Sequence, residues 1–288
     1  MSDGGDRVGI GWRPELAAGI LAHLDAVDLI EVMAEDFLDA IPRRLRALET
    51  LRAQVPLVLH GVSLGLASAA PVANARLDRL ARVVEVAAPL FWSEHLAFVR
   101  GADVEIGHLA APPRTAANVA GAVANLERAT QVVGSRPLVE NIATLVQPPG
   151  PLDEASWIAA ILDGSGADLL LDLHNLYANA VNFGTDPRAL LGRIAPSRIA
   201  AVHLAGGKSI AGPRGGRRVL DDHLHDVPAI VYDLLVEVAA IVPHPLTVIL
   251  ERDGNYPPFP SLVAELERAR AALATGRARR VSSPRILA

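Results

Sequence analysis

The chain has 288 residues, 51% of them hydrophobic and 20% charged, with a net charge of −5 at neutral pH. Such a chain can bury a large core and is not globally disordered. Without a basic stripe it is not expected to bind nucleic acid, and without a single cysteine it has no disulfide, thiolate metal site or cysteine nucleophile.

The N-terminus lacks the basic segment and apolar run of a signal peptide. No uncharged apolar stretch reaches the ~18 residues that a membrane helix needs. The expected location is the cytoplasm, with no membrane contact. Eight short, continuously apolar runs then follow one another along the chain, at 8–12, 28–33, 56–62, 89–93, 137–142, 168–174, 199–204 and 245–251. Continuous rather than alternating hydrophobicity predicts parallel strands buried on both faces. Helical patterns at 15–24, 39–54, 71–88, 112–134, 152–163, 186–192, 226–242 and 260–275 separate them. Eight strand–helix alternations predict a single-domain TIM (β/α)₈ barrel over residues 1–275. A doubly wound nucleotide fold is disfavoured, because no glycine-rich phosphate motif follows the first strand. The segment 206–220 (GGKSIAGPRGGRRVL) reads as a long Gly/Arg-rich loop, and 276–288 (GRARRVSSPRILA) as a basic flexible tail.

The strand ends carry the chemistry. The third ends at His60, the fourth leads into Glu94–His95, and the fifth ends at Glu140–Asn141. The sixth ends at Asp172, His174 and Asn175, and the seventh at His203. Asp221 and His223 lie in the loop beyond, and the eighth ends at Glu251 with Asp253 close behind. In a barrel all these ends converge on one mouth. Asp172 and His174, two apart, are expected to leave their strand on the same face.

Nine nitrogen and oxygen donors result: His60, His95, Glu140, Asp172, His174, His203, Asp221, His223 and Glu251. One histidine at a strand end is usually a hydrogen-bonded core residue, and one buried carboxylate usually pairs with arginine. Four carboxylates gathered without matching cations are too costly to bury in that way. One ion takes four to six ligands, so nine donors imply two or three ions bridged by carboxylates, and a set without thiolate suits iron, manganese or zinc. Glu31, Glu35, Glu94, Asn141, Asn175 and Asp253 are candidates to orient ligands or meet substrate. Arg214, Arg217 and Arg218 make the 206–220 loop a candidate mobile, cationic rim for an acidic peptide. His225 reads as a surface or outer residue, and His23, His108 and His244 as structural. Trp12, Trp92 and Tyr177 pack in the core or wall a pocket.

At these residues the sequence resembles the family long catalogued as domain of unknown function 692, the multinuclear non-haem iron enzymes typified by MbnB and TglH. The stretches GIGWRPEL, HGVSLGLA, WSEHLAF, VENI, LLLDLHNLYANAVNFGTDP, VHLAGG, DDHLHDVP and ERDGNYP carry the likeness in order from Gly9 to Pro257. The resemblance implies two or three irons of mixed ferrous and ferric state and dioxygen as co-substrate. It further implies oxidative modification of cysteine in a ribosomally made precursor peptide, and a small partner protein that binds the peptide leader. It places His60, His95 and Glu140 around one iron, Asp172, His203 and Glu251 around a second, and His174, Asp221 and His223 around a third. His174 stands where the family usually has asparagine, which leaves open whether His174 or Asn175 ligates. The donor set alone also fits a divalent-metal isomerase or hydrolase of the xylose-isomerase or endonuclease IV type, or a non-catalytic metal-binding subunit with coordinatively closed sites.

Overall fold

The computed structural model describes residues 4–101, 104–212 and 215–282. Eight parallel strands close into a barrel. In chain order they are β1 (Arg7–Gly11), β2 (Ile30–Met33), β3 (Leu57–Gly61), β4 (Trp92–His95), β7 (Leu138–Glu140), β8 (Leu169–Asp172), β9 (Ile199–Leu204) and β12 (Thr247–Leu250). Between β4 and β7 comes an antiparallel hairpin of β5 (Phe98–Gly101) and β6 (Val104–Ala110). A second hairpin, β10 (Lys208–Ala211) and β11 (Arg217–Leu220), follows β9. The helices are α1 (Ala17–Ala22), α2 (Pro42–Arg52), α3 (Asn74–Ala87), α4 (Ala116–Val133), α5 (Glu154–Ser165), α6 (Leu173–Phe183), α7 (Pro187–Leu191), α8 (Ala229–Ile241) and α9 (Phe259–Ser282). Among the described residues no helix is long and apolar enough to cross a membrane.

All eight expected strands form. Their outward faces join the helices in one large apolar core. Leu29, Val58 and Ile249 instead form a separate fully buried cluster. Each lies two residues before a polar group of the mouth (Glu31, His60 and Glu251), and strand side chains two apart share a face. This cluster therefore fills the barrel interior directly beneath the donors, as barrel lumens are filled in layers.

Three expectations change. The 206–220 segment is a hairpin rather than a mobile loop, because residues 208–211 and 217–220 pair in register across its glycines. Its Arg214 lies outside the described residues. The sixth strand stops at Asp172, whose side chain caps α6 by accepting the Asn175 amide at 2.6 Å. His174 thus sits in a first helical turn, and α6 itself was not expected, since its three asparagines are poor helix formers.

The third change is at the C-terminus, where α9 continues through the predicted tail to Ser282. Gly276 leaves no room for a Cβ against the Val236 carbonyl, which lets α9 lie close on α8. Arg277 then donates to the carbonyls of Ala239 (3.0 Å), Val242 (2.6 Å) and His244 (2.7 Å) and to both oxygens of Asp6 (2.9 and 2.6 Å). Residues 276–282 are docked helix that ties the last element to the entrance of β1.

This clamp has a pH signature. Burial opposes charge on Asp6, but its bonds to Arg277 and the Leu246 amide win, and its pKa lies below the usual value. A carboxylate with a lowered folded-state pKa stabilises above its unfolded value, and that stability is lost as pH falls through the folded value. Arg277→Ala is expected to cost about 2–3 kcal/mol and to flatten the loss of stability between about pH 5 and 3. Urea melts across that range check it; an unchanged midpoint contradicts the clamp.

Candidate metal centre

The nine donors and Glu31 occupy one end of the barrel. They gather as a first group, His60, His95 and Glu140; a second, Glu140, Asp172, His203 and Glu251; and a third, His174, Asp221 and His223, which shares no residue with the others; Glu31 lies with His60 and His203. Strand register sets this. His95 lies opposite Glu140 on β4 and β7, and Asp172 opposite His203 on β8 and β9. All but Asp221 and His223 are buried.

In the first group the backs of the two imidazoles are fixed. His60 Nδ1 donates to Ser93 Oγ (2.8 Å), and Ser93 donates onward to the Leu59 carbonyl (3.3 Å). His95 Nδ1 donates to the Gly61 carbonyl at 3.1 Å. A proton on each Nδ1 leaves the Nε2 lone pair facing inward. Both Nε2 atoms face Glu140 Oε2, from 3.3 and 3.4 Å. That oxygen has no hydrogen-bond partner. Two atoms bound to one ion at about 2.0–2.2 Å sit about 3.0–3.5 Å apart, which is the spacing here.

Glu140 Oε1 reaches His203 Nδ1 (3.3 Å), which also faces Glu251 Oε2 (3.0 Å), while His203 Nε2 meets Glu31 (2.9 Å). Glu251 Oε2 in turn faces His223 Nδ1 at 3.6 Å. Glu140 thus joins the first group to the second, and Glu251 the second to the third. In the third group Asp221 Oδ1 lies 2.9 Å from His174 Nδ1 and 2.8 Å from His223 Nε2, although the latter lies off hydrogen-bond geometry. His223 has φ 52°, a left-handed conformation that costs a non-glycine residue about 1–2 kcal/mol. The Asp253 amide holds it there by donating to its carbonyl.

Burial disfavours charge on His95, His203, His223, Glu140, Glu251 and Asp172, and for all but Asp172 the neighbours outweigh it. Burial disfavours the imidazolium of His95, but Glu140, Glu94 and Glu251 push its pKa up to about 9. His203 and His223 are raised well above the usual value by the same carboxylate surroundings. Burial raises Glu140 and Glu251, yet the histidines bring both below the usual value. Asp172 goes well up, through burial and then the Asp221 and Glu140 charges. Five carboxylates, Glu31, Glu140, Asp172, Asp221 and Glu251, stand among five histidines, and the buried atoms Glu31 Oε1, Glu140 Oε2, Asp172 Oδ2, His174 Nε2 and Asn175 Oδ1 have no hydrogen-bond partner. These donors fit cations.

The remaining candidates separate. Glu35 accepts the Val62 and Ser63 amides, and Glu94 those of Leu64 and His95, so both brace the loop after β3. Asn141 exchanges hydrogen bonds with the Asp172 backbone, a brace between β7 and β8. Asn175 lines the cavity. Arg217 donates to Tyr177 and Ser209, and Arg218 to the Asn182 carbonyl while lying over Phe183. Neither lines the mouth, so these two do not form the expected cationic rim: hairpin pairing turns them onto α6. Trp92 is buried in the main core. His23 and His244 hold backbone carbonyls, whereas His108, expected to be structural, is exposed on the cavity wall. Arg13 escaped notice: it lines the cavity and donates to Asp253 (2.9 Å). Its place in GIGWRPEL, just past a strand end, was the available signal.

The profile of the family described as "RiPP precursor modification enzyme MbnB/TglH/ChrH" matches residues 7–274. The chain belongs to this family. A UPF0276 protein of Streptomyces avermitilis is 36% identical over 275 residues, 92% of this chain and 54% of its own length. The chain thus spans about half of that relative. A UPF0276 protein of Rhizorhabdus wittichii is 34% identical over 245 residues, 85% of this chain and 86% of its own. Among solved structures, D-psicose 3-epimerase from Clostridium cellulolyticum superposes with TM-score 0.60 at 13% identity, covering 95% of this chain and 99% of that one. A xylose isomerase-like TIM barrel protein from Mycobacterium smegmatis, in complex with magnesium, gives 0.59 at 11%, covering 95% and 97%. At such identities the likeness is one of fold.

In this family member the asparagines of α6 organise the rim. Asn175, Asn179 and Asn182 recur at helical spacing on one face. Asn175 donates to the Asn141 carbonyl, and Asn179 donates to that of Ile142 while accepting the Thr144 amide. Asn182 donates to the carbonyls of Thr144 (3.1 Å) and Val219 (3.0 Å) and accepts the Val219 amide (2.8 Å). It binds the loop after β7 to the hairpin that leads into Asp221. Asn182→Ala would orphan these backbone groups at a cost of about 2–3 kcal/mol. Hydrogen exchange at Val219 should quicken by at least about tenfold; an unchanged rate contradicts the tie.

Proposed function

We propose that this protein is a multinuclear iron enzyme that uses dioxygen to modify cysteine in a ribosomally made precursor peptide. The observation that carries this reading is the chain of donor groups joined through Glu140 and Glu251, in a chain that belongs to a family of precursor-peptide modification enzymes. His60, His95 and Glu140 would hold one iron, Asp172, His203 and Glu251 a second, and His174, Asp221 and His223 a third. Bound iron supplies one-electron redox chemistry with dioxygen and a Lewis acid that lowers the pKa of a thiol. Ser93 and the Gly61 carbonyl hold the imidazole tautomers that such binding needs, and Glu31 orients His203 from behind. The cavity above, of about 590 Å³, has room for a residue of a peptide chain. A small leader-binding partner would present that peptide.

Protein from iron-supplemented cells should carry about two to three irons per chain. Glu140→Ala and Glu251→Ala should lose metal while remaining folded, and His23→Ala should keep it. Elemental analysis finding less than one metal per chain after anaerobic reconstitution would sink the multinuclear reading. For the reaction, iron-loaded protein is mixed with the cysteine-containing peptide encoded beside its gene. A mass change that needs both iron and dioxygen is expected. Turnover with manganese in the absence of dioxygen would favour an isomerase or hydrolase instead.

A further inference from the structure

The cavity has two kinds of wall. Five of the donors, His60, His95, Asp221, His223 and Glu251, line it, and part of its wall is apolar, including Leu109, Leu145, Val146, Val219 and Leu220. Three of these are exposed: Leu145 (43%), Val146 (75%) and Leu220 (37%). Scattered exposed apolar residues need no explanation, but a contiguous exposed patch beside a cavity does.

Contiguity follows from the hydrogen bonds. Asn182 holds Thr144 and Val219 at once, and these residues immediately precede Leu145 and Leu220. The turn bearing Leu145 and Val146 is closed on itself, Thr144 Oγ1 donating to the Val146 carbonyl at 2.8 Å. Asn179 also holds the Thr144 amide. The apolar side chains are therefore displayed from a braced backbone, which lowers the ordering cost of binding.

Charge restricts the occupant. Arg13 is the one arginine or lysine among the described lining residues, and Asp253 engages it. Asp221, Asp222, Glu251 and Asp253 also line the cavity. Among the described lining residues an acidic substrate segment would find no arginine or lysine free of an acidic partner.

We propose that Leu145, Val146 and Leu220 form a specificity subsite for an uncharged aliphatic or aromatic side chain of the substrate peptide, next to the residue that is modified. The inference rests on the peptide reading above and adds the chemistry of the flanking position. It replaces the acidic peptide expected from the arginines of the hairpin.

The probes are acetylated tripeptide amides with a central serine, which cannot react as a thiol, flanked on both sides by leucine, alanine or glutamate. Calorimetric titration of the iron-loaded protein should rank them leucine, then alanine, then glutamate. The leucine peptide should bind about tenfold more tightly than the alanine one, from burial of one exposed rim side chain and its partner. Val146→Asp should abolish that preference and leave iron content unchanged. Leu21→Asp, at an exposed leucine on α1 away from the cavity, should leave it intact. Equal affinities for the leucine and alanine peptides, insensitivity to Val146→Asp, or no binding of the leucine peptide each overturns the subsite. Cysteine-centred versions test the other reading separately: a leucine-flanked peptide that binds but is not oxidised under dioxygen defeats the oxidative function and leaves the subsite standing.

Discussion

Glu31, Glu140, Asp172 and Glu251 are buried together at one end of the barrel, and much of the surrounding structure answers the cost of keeping them there. Carboxylates drawn out of water raise one another's proton affinity, as Asp172 shows. Histidines interleaved between them offset this in part, and His203 touches three of the four. The histidines leave Glu31 Oε1, Glu140 Oε2 and Asp172 Oδ2 buried without a hydrogen-bond partner, which is what makes the mouth suited to cations.

Such a cluster needs a rigid base. Leu29, Val58 and Ile249 supply it, each on the same strand face as a polar group of the mouth and two residues below it. Interiors close-packed in this way leave the side chains above little freedom to splay apart. The hydrogen bonds behind His60 and His95 complete the arrangement by choosing which ring nitrogen faces inward. Orientation is set from outside the cluster, so the inward faces stay free for ligands.

The third donor group is built differently. Asp221 and His223 come after a hairpin rather than from a strand end, and His174 comes from the first turn of α6. Close approach is possible because Gly207 carries no Cβ: one there would overlap the Leu220 carbonyl and lie 2.5 Å from His174 Cε1. The asparagines of α6 hold that hairpin and the loop after β7 to the same helix. The apolar rim and the outermost donors are thereby positioned by one element, which couples the place where a peptide would rest to the donors below it.

Much of this was legible in the chain itself. Parallel strands buried on both faces must be continuously apolar, so all eight could be read, and a closed barrel carries its strand ends to one mouth. That was enough to gather the nine donors and to place Glu31 beside them. The second half of the site was less readable. α6 has poor intrinsic propensity and forms because its asparagines satisfy loop backbones distant in sequence. The two hairpins have glycine-rich or solvent-exposed strands with no periodic apolar face. Arg217 and Arg218 suggested a cationic rim by composition, and strand pairing turned them away from the mouth. Arg277 looked like part of a loose tail until its carbonyl partners, more than thirty residues away, were brought against it. Residue types and their order along the strands are local properties, and they determined the barrel and the chemistry of its mouth. Which atoms of those donors face one another, which tautomers face inward and where the rim is apolar depend on contacts between segments far apart in the chain, and only the tertiary structure decided them.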